Sequence, residues 1–182
     1  PTGLSAETGT SSGVDTTVNR FLISAAHRSS GKTVVSVGLA TALTRRGHKV
    51  STFKKGPDYI DPMWLGLACG QPCWNLDFFT MGRDEIRECF VRQSAGADVV
   101  LIEGNKGLFD GLDVEGGDSN AALAKLLNIP VVLVIDVTGM TRGIAPLLSG
   151  YIAFDPEIRI AGVVLNRVAG PRQEHKLRAA ID

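Results

Sequence analysis

The stretch FLISAAHRSSGKTVVSVGLATAL, residues 21–43, decides how the rest of the chain is read. "FLIS" is an apolar run of the length and flanks of a buried strand, and the segment after "GKT" has the pattern of a helix running to Arg46. Between them, "AAHRSSGKT" follows the pattern G-x-x-x-x-G-K-[ST], in which backbone N–H groups at a helix N-terminus surround phosphate oxygens. Ser29, Ser30, Gly31, Lys32 and Thr33 are therefore the candidate nucleotide-binding residues. Lys32 would reach the β and γ phosphates of ATP, and the Thr33 hydroxyl would hold Mg2+. Ala26 stands where the pattern asks for its first glycine, a residue free to adopt geometries closed to alanine. The competing reading is an ordinary strand-to-helix turn.

Outward from this loop, four apolar runs read as buried parallel strands: 20–26, 97–103, 130–136 and 158–166. A fifth, "KVSTFKK" at 48–54, alternates more and is expected nearer an edge of the sheet. Helical patterns occupy 32–46, 83–94, 119–128, 141–153 and 172–181, with Asp118 or Ser119 as N-cap of the third. The alternation predicts a three-layer α/β domain with a mostly parallel sheet, whose ligands collect at the carboxyl ends of the strands. Residues 1–19, rich in Gly, Ser and Thr, read as a flexible lead-in, and 20–182 as one domain. The chain stops at "HKLRAAID", inside a helical pattern with no C-cap signal, so a fragment of a longer protein is expected.

Nineteen basic residues balance nineteen acidic ones, which leaves no electrostatic footprint for nucleic acid or an anionic membrane surface. No apolar run is long enough to span a bilayer, and the start lacks the basic and apolar regions of a signal peptide. Cys69, Cys73 and Cys89 share no zinc-ligand spacing and read as free thiols of a reducing cytosol, so a cytoplasmic location is expected.

The strand ends carry the remaining chemistry. "FKKGPDYIDP" sets Lys54 at a strand end, with Asp58 and Asp61 in the loop after it. Against a catalytic role, Lys54 could be a solvated edge residue, and Asp61 with Pro62 is a good cap for the helix "PMWLGLA". "VVLIEGNKGLFDG" ends its strand in Glu103, a suitable magnesium partner because Mg2+ prefers carboxylate oxygens and phosphates. Asp110 follows in a glycine-rich loop; the alternatives are a lysine partner for Glu103 and a turn-capping role for Asp110. Asp136 and Asn166 end the last two strands; either could serve catalysis or recognition, or simply close a turn.

Taken together, "FKKGPDYIDP", "NLD" at 75–77, "EGNKGLFDG" at 103–111, "GYIAFDP" at 150–156 and "GVVLNRV" at 162–168 resemble the ATP-binding domain of the cobyrinic acid a,c-diamide synthase family. The resemblance covers Arg20 to Asp182. It implies a P-loop NTPase-like fold similar to dethiobiotin synthetase, and a reaction in which ATP phosphorylates a tetrapyrrole carboxylate before ammonia displaces the phosphate. It further implies ammonia from a glutaminase domain, expected to lie outside this stretch of sequence, and allows a homodimer. By the same resemblance Lys54, Asp58, Asp61 and Asp110 are catalytic, Thr33, Asp58 and Glu103 hold magnesium, and Asn166 contacts adenine. Two features depart from the family pattern. Arg28 adds a charge to the phosphate loop, and Lys55 and Lys106 resemble a branch acting on sirohydrochlorin or siroheme rather than a corrin. Added cations would suit a substrate rich in carboxylates, unless both lysines are simply solvated.

Three rivals remain. A partitioning-type switch ATPase carries a lysine five residues before the loop's GKT lysine, where this chain has His27. A carboxylating ligase like dethiobiotin synthetase lacks "GPDYID" and "LFDG". A nucleotide-binding scaffold that has lost catalysis is a reading that Ala26 leaves open.

Overall fold

The computed structural model describes residues 18–181; the lead-in expected at the N-terminus lies, from residue 1 to 17, outside them. Six strands and six helices alternate: β1 (Asn19–Ala25), α1 (Lys32–Arg45), β2 (Val50–Lys55), α2 (Ile60–Cys69), β3 (Cys73–Leu76), α3 (Arg83–Ser94), β4 (Val99–Glu103), α4 (Asn120–Leu127), β5 (Val131–Asp136), α5 (Ile144–Phe154), β6 (Ile160–Asn166) and α6 (Pro171–Ile181). The strands form one sheet in the order β3-β2-β4-β1-β5-β6. Every pairing is parallel.

The apolar runs alternate between two cores because successive strand side chains face opposite sides of the sheet. Leu22, Val100, Ile102 and Leu133 pack with Ile86, Leu123, Leu148 and Leu177 from α3–α6. Ile23, Leu101 and Val134 face Leu65 of α2 and the half-buried Val35, Val37 and Leu39 of α1. Each fully buried aliphatic contributes about 1.5–3 kcal/mol, so most of the sheet's stability comes from these two apolar cores.

Two expectations are corrected. β2 is an interior strand, buried along all of its length between β3 and β4. Its alternation arises because its polar side chains have interior partners: Ser51 donates to Gln93 O at 2.8 Å, and Thr52 contacts Cys69 Sγ at 3.5 Å. The edge strands are β3, four residues long and too short to show a period, and β6. β6 was expected to be buried but lies at the other edge with no fully buried residue, because only β5 covers it. The register sets Lys54 of β2 and Ile23 of β1 on either side of Glu103. The ends of β1, β2 and β4 are thereby level, beside the N-terminus of α1.

Candidate active site

The phosphate loop leaves β1 at Ala26 and enters α1 at Lys32, with Gly31 as N-cap. Gly31 has φ +95° and Ser29 φ +64°, so the loop's left-handed positions fall there and not at Ala26. The alanine in the first motif position therefore occupies a conformation open to any L-residue. Ala26 O accepts a hydrogen bond from the Tyr151 hydroxyl at 2.5 Å. Ser30 Oγ donates to His27 O at 2.8 Å and draws the loop closed. Asn166, at the end of β6, donates Nδ2 to Ser30 O at 2.8 Å, and a Cβ on Gly31 would collide with that same amide. Asn166 thus braces the loop from behind. Arg28 is exposed.

Lys32 Nζ donates to Lys106 O at 2.7 Å, across the loop that follows β4. Burial, and then the charge of Lys54, hold its pKa below the usual lysine value. Lys106 contributes its backbone here, and adopts φ +41° to do so.

Lys54 forms the centre of the site. It is 3% exposed, which removes the solvated-edge alternative. Its ammonium donates to Asp61 Oδ2 at 2.6 Å and Glu103 Oε1 at 3.1 Å, and lies 3.7 Å from Asp58 Oδ2. Burial alone would lower its pKa; Glu103 and Asp61 outweigh that and raise it, so the ammonium stays charged. Asp61 is affected in the opposite sense: partial burial raises its pKa, but the Lys54 hydrogen bond prevails and holds it below the usual carboxylate range. Glu103 has no exposed surface, and burial keeps its pKa raised despite Lys54 and Thr33.

The Thr33 hydroxyl donates to Glu103 Oε1 at 2.6 Å and lies 3.4 Å from Asp61 Oδ2. The second oxygen, Glu103 Oε2, is buried with no partner among the described residues. An orphaned carboxylate oxygen next to a threonine hydroxyl at the phosphate loop is a hard-oxygen pair of the kind Mg2+ binds together with phosphates and water. The residues present fit that ion. No set of three His, Cys, Asp or Glu side chains gathers as a self-sufficient metal cage among the described residues.

Asp58 and Asp61 divide their work differently from the capping alternative. Asp58 Oδ1 accepts from Ile60 N at 2.9 Å and Asp61 N at 3.3 Å, so Asp58 caps α2 while Asp61, inside its first turn, is free to reach Lys54 and Thr33. Asn75 fixes this loop, donating to Gly56 O and Asp58 O at 2.6 Å each. Asp110 is apart from this group. It is exposed, it accepts from Gly107 N at 3.0 Å, and it borders the start of the phosphate loop. A Cβ on Gly107 would meet Asp110 Oδ2 at 2.5 Å and Ala26 O at 3.0 Å, a close approach that requires glycine.

Asn120, the first residue of α4, carries no sequence signal beyond its place after the cap Ser119. It is fully buried. Nδ2 donates to Ser24 Oγ at 3.1 Å, Gly107 O at 2.9 Å and Asn105 O, and Oδ1 accepts from Asn105 N at 3.2 Å. One side chain thus ties β1 to the loop whose carbonyl holds Lys32. At β5, Asp136 accepts from Thr138 and pairs with Arg167 at 2.5 Å, a turn-closing role that brings its pKa to about 2. The cysteines are free thiols, and burial pushes Cys73 up to about 12, well away from a thiolate nucleophile.

Residues 23–182 match the CbiA family, described as the CobQ/CobB/MinD/ParA nucleotide binding domain. Over 165 residues the chain is 54% identical to the cobyrinate a,c-diamide synthase of Magnetococcus marinus, covering 91% of this chain and 35% of that protein. Over 174 residues it is 46% identical to the hydrogenobyrinate a,c-diamide synthase of Streptomyces coelicolor, covering 95% of this chain and 36% of that protein. The chain therefore spans about a third of the length of these curated relatives. Among solved structures, the signal recognition particle 54 kDa protein of Aeropyrum pernix superposes with a TM-score of 0.63 at 20% identity, over 92% of this chain and 40% of that one. The hydrogenase maturation factor HypB of Archaeoglobus fulgidus superposes with a TM-score of 0.56 at 16% identity, over 90% of this chain and 75% of that one. These likenesses carry the three-layer P-loop NTPase-like fold.

Proposed function

We propose, from the premise that this chain belongs to the CbiA family of nucleotide-binding domains, that it is the ATP-using part of an amide ligase acting on tetrapyrrole carboxylates. The observation that carries the reading is the buried Lys54, set between Asp61 and Glu103 next to the phosphate loop. A loop that only binds or hydrolyses nucleotide has no use for this second cation, whose burial must be offset by two carboxylates.

A carboxylate resists amidation because its oxide is a very poor leaving group. Phosphorylation removes that obstacle: a carboxylate oxygen attacks the γ-phosphorus of ATP, and ADP departs. Ammonia then adds to the acyl carbon, and inorganic phosphate leaves with one former carboxylate oxygen. Such a transfer needs positioning and charge neutralisation more than covalent help. Ser29, Ser30 and Gly31 offer backbone N–H groups to the phosphates, and Lys32 exchanges its hold on Lys106 O for the β and γ oxygens. Lys54 draws the reacting carboxylate and the transferring phosphoryl group together. Thr33 and Glu103 would hold Mg2+, which when bound supplies neutralisation of phosphate charge, with Asp61 closer to that pair than Asp58. Asp58 and Asp110, both on the rim, orient incoming ammonia and receive its proton. Asn166 keeps the loop in register and lies at the adenine side of the site. Ammonia would come from glutamine through a glutaminase domain, and the cytoplasm is the proposed location. No helix among the described residues is long and apolar enough to cross a membrane.

The names of the relatives favour a corrin, cobyrinic acid or hydrogenobyrinic acid, as substrate. The burial of Lys55 keeps sirohydrochlorin as a second candidate, since it places one of the two departing lysines inside the protein. ADP release from Mg-ATP with ammonium chloride, run against cobyrinic acid, sirohydrochlorin, siroheme, and diaminopelargonate with bicarbonate, separates these. Turnover that requires one tetrapyrrole and disappears in Lys32→Ala is expected. Turnover indifferent to every acceptor would instead make the chain a switch ATPase.

A further inference from the structure

Lys55 is the next residue after Lys54, so it faces the opposite side of the sheet. It is 4% exposed, and lysine is almost never buried without a charged partner. Lys55 has none. Its Nζ donates to the neutral Asn105 Oδ1 at 3.1 Å, and it forms no ion pair among the described residues. An ammonium has three donors, and one is used.

The acidic groups that face Lys55 are committed elsewhere. Asp77 accepts from Phe79 N at 3.2 Å and Thr80 Oγ1 at 3.1 Å, and Asp118 accepts from Leu112 N at 2.8 Å. Lys54 and Lys106, on the near side, add to the positive potential, and burial keeps the pKa of Lys55 below the usual lysine value. The Lys55 ammonium also lies over the Phe78 ring, 5.9 Å from its centroid, a cation–π contact that leaves its charge unneutralised.

Lys55 and Asn105 line a cavity of about 260 Å3 with Pro57, Asp58 and Tyr59. This cavity adjoins the reaction centre, since Asp58 Oδ2 is 3.7 Å from Lys54 Nζ. Tyr59 is 82% exposed at its rim and offers a flat aromatic face to whatever enters.

We propose that Lys55 and the cavity around it form an anion subsite that binds a second, non-reacting carboxylate of the substrate. The proposal rests on the reading of the chain as a tetrapyrrole amide ligase and deepens it. The subsite takes a polycarboxylate, and by holding one side chain it determines which neighbouring carboxylate reaches Lys54. A monocarboxylic acid would leave it empty.

Titration calorimetry of cobyrinic acid into the protein carrying a non-hydrolysable ATP analogue tests this, with cobyrinic acid heptamethyl ester as the uncharged comparison. A buried charged hydrogen bond implies that Lys55→Met weakens cobyrinic acid about tenfold or more, while Lys55→Arg stays within about threefold of the parent. The ester should bind parent and Lys55→Met alike. In turnover, KM for cobyrinic acid should rise by about the same factor with kcat within about threefold, as expected when binding of ground and transition states is lost equally. Asn105→Asp provides a second test: it gives Lys55 an internal counter-ion and should also weaken cobyrinic acid about tenfold. Unchanged affinity in folded Lys55→Met or in Asn105→Asp overturns the subsite and leaves the ligase reading standing. A parent protein that neither binds nor turns over cobyrinic acid or sirohydrochlorin overturns both.

Discussion

Replacing Lys54 with methionine removes the cation that pairs directly with Glu103, which has no exposed surface. Methionine fills a similar volume, so packing changes little and the effect is electrostatic. Glu103 then has two options: remain ionised without a counter-ion, at about 3–5 kcal/mol, or enter the fold protonated. At pH 7 protonation costs about 3.7 kcal/mol, from about 2.7 pH units above the ordinary glutamate value at about 1.36 kcal/mol each. The two limits agree on a loss of about 3–4 kcal/mol at neutral pH.

The protonation route also has a sign. A carboxyl whose folded pKa is raised binds its proton more tightly in the folded state. Stability is then highest below the unfolded pKa and falls as pH rises through the folded one. Because burial already raises Glu103 in the parent, the gap between Lys54→Met and the parent should widen by at most about 2.7 kcal/mol between pH 5 and pH 7. Urea denaturation at pH 5, 6 and 7 measures it. Adding Glu103→Gln to Lys54→Met should flatten that dependence and recover most of the loss. A pH-independent gap, or no recovery in the double variant, would refute the account of this buried pair.

Gly31→Ala should weaken ATP binding more than tenfold, because φ +95° is strained for alanine and its Cβ would displace Asn166; equilibrium dialysis reads this. Ala26→Gly, in the same assay, should stay within about twofold, since Ala26 has no left-handed φ to relieve. Asn120→Ala leaves buried partners in Ser24, Asn105 and Gly107 and should cost about 3 kcal/mol in urea, with faster hydrogen exchange at residues 104–108. Asp136 has its folded pKa lowered to about 2, so its contribution is present above pH 4 and fades as pH falls toward 2. Asp136→Asn should therefore melt below the parent at pH 5 and approach it near pH 2, by circular dichroism.

How much of this was legible beforehand depended on range. The phosphate loop, the interior strands and Glu103 are local signals: each is a short run whose period or spacing reflects its own environment. Lys54 and Asp61 were legible as candidates but not as partners, because their meeting depends on the parallel register that sets β2 beside β4. Asp58 and Asp61 could not be told apart until the first turn of α2 showed which carboxylate its backbone amides occupy. β3 is hidden by its four-residue length, β2 reads as lying nearer an edge because lysines in an alternating run look solvent-facing, and the apolar run of β6 does not reveal that only one neighbour covers it. Asn120 was invisible, since its partners lie 13 to 96 residues away and no local pattern marks a buried amide. Asp110 read as part of the central group, yet its hydrogen bond is to its own loop.

The central claim is that ATP energy enters the substrate as an acyl phosphate, and oxygen transfer tests it most directly. Cobyrinic acid carrying oxygen-18 in its carboxyl groups would be incubated with the protein, Mg-ATP and ammonium chloride, and the inorganic phosphate examined by mass spectrometry. The account predicts one labelled oxygen in phosphate for each amide formed, and no label transfer in Lys32→Ala. Amide formed with unlabelled phosphate, or phosphate released without any dependence on the tetrapyrrole, would contradict it.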